Sequence, residues 1–188
     1  MRHALLLLLV LGCRTATPTL PGTELWEALQ PLCGKAFAGT LAEGTEPSDQ
    51  EMGKQTLVMH VRQCSDLEIR IPFHVGENRS RTWVLTRTAG GVRLKHDHRH
   101  EDGSEDRVTQ YGGDTRGAAD SRSLDFHADT FTAQLLPAAA TNIWTMAVDG
   151  EGRTFTYGLR REAQGRRFRV AFDLTSPITP PPAPWGTR

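Results

Sequence analysis

The chain has 188 residues, and its 22 lysines and arginines balance 22 aspartates and glutamates, leaving no formal net charge with its seven histidines neutral. That balance excludes the basic stripe of a nucleic-acid surface, which needs clustered Lys and Arg to neutralise phosphates. No apolar run beyond the first dozen residues is long enough to cross a bilayer as a helix, and the remainder suffices for one domain of roughly 150 residues with a proper core.

Met1-Arg2-His3 is a short basic head, and Ala4 to Gly12 is a continuous apolar run too short to span a membrane. The run ends at Val10-Leu11-Gly12-Cys13, which resembles the lipobox of bacterial lipoproteins. The resemblance implies a signal peptide over residues 1–12, a lipid on Cys13 that anchors the protein in a membrane, and, with Arg14 next, an outer-membrane lipoprotein facing the periplasm. An ordinary secretory signal cut near Ala16 is the alternative, and it too puts the protein outside the cytoplasm. Setting Cys13 aside leaves Cys33 and Cys64, and in an oxidising compartment that pair reads as a disulfide. Two separately buried thiols are the other reading; neither cysteine sits in a CxxC or beside a histidine.

Residues 13–22 form a polar, proline-containing tether. Thr23 then reads as an N-cap, and Leu25, Trp26, Leu29, Leu32 and Cys33 recur at helical spacing up to Gly34, with Pro31 kinking or shortening the helix. This stripe is expected to plug the end of a sheet, because everything after it has period two. Phe37 to Leu41 is a short strand, followed by a glycine- and acid-rich loop through Gly53. Gln55 to Gln63 and Asp66 to Val75 are strands, the second alternating Leu67, Ile69, Ile71, Phe73 and Val75 with polar residues and carrying Pro72, which marks an edge or a bulge. Arg81 to Thr88 places Trp83 and Leu85 in register, and Gly90-Gly91 signals a tight hairpin. Ser123 to His127 is a short strand and Asp129 caps a helix over Thr130 to Leu136. Three strong strands follow, Asn142 to Val148, Thr154 to Arg161 and Arg167 to Leu174; Pro-rich residues 176–188 read as an extended, disordered tail.

Nine or ten antiparallel strands with short turns, apolar on one face and charged on the other, predict an all-β domain over residues 23–175, closed as a barrel or paired as a sandwich, with a short N-terminal helix. The strand pattern looks like the calycin or lipocalin type, although Ala38-Gly39-Thr40 lacks the tryptophan of the lipocalin GxW signature.

The one candidate site is the strand GVRLKHDHRHEDGSED, residues 91–106. Its even positions, Val92, Leu94, His96, His98 and His100, share the inner face, whereas Arg93, Lys95, Asp97, Arg99 and Glu101 share the outer one. A two-residue hairpin at Asp102-Gly103 would set His100 against Glu105, His98 against Arg107 and His96 against Thr109. His96, His98, His100 and Glu105 are therefore the ligand or metal candidates, His98 and His100 the closest to half a zinc site; Arg107 opposes a dication there. A polar barrel mouth with hydrogen-bonded histidines, and a histidine-ligated haem, are the other readings. His60, His74 and His127 are expected at the surface.

Leu94 through Asp106, Tyr111-Gly112-Gly113-Asp114, Asn142-Ile143-Trp144-Thr145 and Phe168-Arg169-Val170 together resemble a group of uncharacterised secreted bacterial proteins, which implies an extracytoplasmic address and no activity. There is no GxSxG, HExxH or phosphate loop. The leading expectation is thus an envelope lipoprotein whose β-barrel binds a small ligand or metal, without assigned catalysis. A metal-assisted hydrolase built on the histidine ladder and a structural or assembly protein with a solid barrel are the alternatives. Nothing in the sequence argues for or against a homo-oligomer.

Overall fold

Apolar–polar alternation gives a strand one face to bury, and here almost the whole chain after residue 35 alternates. The computed structural model describes residues 22–116 and 121–187; the leader, the tether and Cys13 lie outside that range. The strands are β1 (Ala36–Gly44), β2 (Leu57–His60), β3 (Gln63–Cys64), β4 (Glu68–Val75), β5 (Asn78–Thr88), β6 (Gly91–His98), β7 (Tyr111–Asp114), β8 (Ser123–Ala128), β9 (Ile143–Val148), β10 (Thr154–Arg161) and β11 (Arg166–Ile178). All pairings are antiparallel.

The sheet closes. Its order runs β2, β1, β11, β10, β9, β8, β7, β6, β5, β4, and β4 pairs again with β2, so ten strands form a barrel and β3 adds to β4 alone. Of the barrel and the sandwich, the barrel is the outcome; closure leaves no long unpaired edge. Pro72 lies on β4 between the stretch paired with β3 and the stretch paired with β2, so its missing N–H breaks neither ladder. The interior is filled from every wall, with Met59, Ile71, Leu94, Phe126, Met146 and Phe155 among its buried side chains.

One end is plugged. Helix α1 (Thr23–Leu29) buries Leu25, Trp26 and Leu29, as its apolar stripe predicts. Gly22, rather than Thr23, precedes the helix, in a left-handed conformation (φ 70°) and pressed on Val92 and Leu124, where a side chain would clash. The Trp26 indole N–H donates to the Ser65 carbonyl at 3.0 Å, and the Arg87 guanidinium lies 4.7 Å from the ring. Pro31 ends the α-helix in a 3-10 turn, Gln30–Leu32, after which Cys33 is disulfide-bonded to Cys64 on β3 with Cα atoms 6.2 Å apart.

Several expectations are corrected. The acid-rich segment before Gly53 is not all loop: Pro47–Gly53 form α2, started by proline and by a reciprocal cap between Glu46 and Asp49. Leu67 is 64% exposed, because Ser65 to Glu68 turn before β4 begins. His60 and His74 occupy the outer face yet are buried, and Arg79 and Arg62 are close enough to act on His74. β11 runs past the expected boundary, with Pro177 opposite Phe37 and Ile178 opposite Ala36. The proline-rich end then returns along the wall, where the Arg79 guanidinium donates to the Ala183 carbonyl and the Trp185 backbone N–H donates to the Arg79 carbonyl.

The disulfide closes a loop spanning 31 positions and fixes the plug to the wall. Cys33→Ser with Cys64→Ser should therefore lower unfolding free energy by about 3–4 kcal/mol, read as an earlier urea midpoint. An unchanged midpoint would mean that the plug is held by packing alone.

Candidate functional site

The opposite end of the barrel is open, and a cavity of about 310 Å³ occupies it. Period-two geometry decides what lines it: Arg81, Trp83 and Leu85 share the inner face of β5, and Leu94, His96 and His98 share that of β6. Register sets Trp83 opposite His96 and Arg81 opposite both His98 and Phe73.

The floor is aromatic. Trp83 stacks on Tyr157 (centroids 4.3 Å apart) and on Phe73 (4.8 Å), and His96 stacks on Tyr111 (4.5 Å) with Trp144 at 5.2 Å. His96 is 3% exposed. Its Nδ1 lies 3.1 Å from the Tyr111 carbonyl oxygen, which only accepts, so Nδ1 carries the proton. Nε2 then accepts from the Tyr157 hydroxyl at 2.7 Å. Burial lowers the His96 pKa to about 3 and raises that of Tyr157 well above its ordinary value, so both remain neutral. The His98 Nε2 is 3.1 Å from the Tyr111 hydroxyl; burial, followed by the nearby Arg81 charge, lowers the His98 pKa to about 4. Burial also raises that of Tyr111 to about 12.

The four candidate side chains are not brought together. His96 and His98 line the cavity, whereas His100 is exposed and Glu105 pairs with Arg99 on the outside. The expected hairpin register is off by one residue. The Asp102 carboxylate accepts from both the N–H and the hydroxyl of Ser104, Gly103 takes φ 88°, and the closing bridge is Arg99 with Glu105. A one-residue slip moves a side chain to the opposite face, which is why Glu105 leaves the interior. The strand then breaks: residues 106–110 bulge, Gln110 adopts φ 58°, and Tyr111 rather than Thr109 faces His96. Thr109 instead accepts the His98 backbone N–H, and Arg107 is exposed. Among the described residues no three His, Cys, Asp or Glu side chains are grouped to hold a metal ion, so the zinc reading of His98 and His100 loses its geometry.

Three polar groups in the cavity wall stand out, and the strand reading missed them. Arg166 is neutralised by a two-pronged ion pair with Asp49 of α2 (2.5 and 2.7 Å), which ties that helix across the mouth. Arg81, half-buried, donates to the Asn78 side-chain oxygen at 3.0 Å and has no carboxylate within ion-pair distance among the described residues. Asn142, 7% exposed, lines the same cavity with a side-chain oxygen that has no hydrogen-bond partner. The legible signal for Arg81 was its parity with Trp83. A charge at an inward position is rarely idle.

Comparison with protein families, with curated proteins and with solved structures finds no match for this chain, so of the resemblances only the closed barrel stands.

An imidazole whose folded pKa lies below its unfolded value of about 6.5 costs stability as pH falls, because the unfolded chain then binds more protons. The cost begins near the unfolded pKa and levels off only at the folded one, about 3 for His96. His96→Gln keeps a hydrogen-bonding side chain but cannot titrate. The wild type should lose about 2 kcal/mol more than this variant between about pH 7 and pH 5, measured by urea unfolding at each pH. Equal losses would show that His96 is not buried neutral.

Proposed function

We propose that this protein is a small-ligand-binding barrel of the cell envelope, held to the outer membrane by a lipid on Cys13, with its ligand in the cavity at the open end. The observation that carries the reading is the cavity itself: about 310 Å³, floored by stacked aromatics and bearing a few convergent polar groups. Its size lies at the small end of the range for metabolite sites, and a mostly apolar lining with sparse polar points is their usual make-up. A solid structural barrel would have no such space. A hydrolytic reading would need a free base or a metal at the ladder, and the Nε2 atoms of the two inward imidazoles are engaged with tyrosine hydroxyls. The Cys33–Cys64 disulfide supports the extracytoplasmic address, since such bonds persist in oxidising compartments.

The neutral dye phenylnaphthylamine, dark in water and fluorescent in apolar pockets, tests the cavity. The protein should bind it saturably. Leu159→Trp, which fills the mouth, should weaken binding at least about tenfold without altering the melting profile. Absence of saturable binding, or dye binding indifferent to that substitution, would count against a cavity that takes ligands. Cys13→Ser should shift the protein from the membrane to the soluble fraction; retention on the membrane would sink the anchor.

A further inference from the structure

Resting on the ligand-binding reading, we propose that the occupant is a small organic acid whose carboxylate pairs with Arg81 while its apolar body packs on the Trp83, Tyr157 and Trp144 rings. The cavity holds two guanidiniums and treats them differently. Arg166 has its counter-ion within the protein, in Asp49. Arg81 is drawn into the barrel by the inward register of β5 and, among the described residues, meets a neutral amide oxygen rather than a carboxylate. A partly desolvated cation is costly unless an anion meets it.

Among the described residues no neighbour supplies that anion. His98, which faces Arg81 across the ladder, stays neutral in the folded state, as does His96 behind it. The tyrosines at the site keep their protons, because burial raises both phenols. Asp106 is near enough for its charge to reach His98 and Tyr111, but its carboxylate accepts from the Val108 N–H and lies outside ion-pair distance of Arg81. Glu105 is on the outer face with Arg99.

The chemistry of the missing partner follows. A guanidinium presents a planar fork that matches a carboxylate with two parallel hydrogen bonds. One unneutralised cation fits a monoanion. Across the mouth, the unpartnered Asn142 oxygen needs a donor, so an acid that also carries a hydroxyl or N–H satisfies both groups.

Matched probes test this: cinnamate and its neutral amide, cinnamamide, titrated into the full-length protein at neutral pH by calorimetry. Cinnamate should bind about tenfold or more tightly than cinnamamide. Arg81→Met should abolish that preference by weakening cinnamate alone, and Arg81→Lys should keep part of it because the charge remains. Circular dichroism confirms that both variants are folded; if neither folds, raising the salt concentration on the wild type, which should leave most of the preference of a buried pair intact, decides instead. Equal binding of the two probes, or a preference that survives Arg81→Met, overturns the inference while leaving a ligand-binding barrel in place. Failure of both probes together with phenylnaphthylamine overturns the ligand-binding reading itself.

Discussion

Leu57 with Val75, Val58 with His74 and Met59 with Phe73 are the three residue pairs that turn a ribbon of strands into a tube. Without that short ladder between β2 and β4 the sheet would have two open edges, and the aromatic side chains would lose the facing wall they pack on. Phe73 shows the dependence most directly. It belongs to the closing ladder, and its ring stacks on Trp83 and meets Phe172 edge-on from β11. Closure and interior packing are therefore one event, and the cavity is what remains where the packing stops.

The electrostatics of the tube divide by face. Outside, cross-strand pairs such as Arg93–Asp114 and Arg160–Asp125 balance charge on partly exposed side chains, where each is worth little. Inside, the imidazoles of His96 and His98 stay neutral against the Tyr157 and Tyr111 hydroxyls under an aromatic cover, and the Arg166–Asp49 pair balances its own charge. Among the described residues, that leaves Arg81 as the cation of the cavity wall without a carboxylate partner.

Much of the architecture was legible in the sequence because it depends on period alone. Strands β4, β5, β10 and β11 announce their inward faces through Ile71, Trp83, Tyr157 and Val170, and the stripe Leu25–Trp26–Leu29 announces the plug. The disulfide followed from having two cysteines left to pair. The site was legible only in part. That His96 and His98 face inward is a matter of parity, but whether Glu105 joins them depends on the turn, and the Asp102–Ser104 hydrogen bonds shift it by one residue. α2 escaped notice because its cap is a Glu46–Asp49 pair rather than the usual hydroxyl residue. Long-range partners, such as Asp49 for Arg166 or the tail for Arg79, leave no local trace. His60 and His74 were misplaced for a related reason: parity gives the face of a strand and says nothing of what later chain lies against it.

Among the described residues, the plug at one end and the cavity at the other make a vessel with one doorway. For the proposed ligand, entry and exit share one route, so exchange would proceed through an emptied barrel. Residence time is then governed at the threshold, where α2 is moored by Asp49 to Arg166. Gly22, where the described residues begin, lies at the plugged end, against Val92 and Leu124.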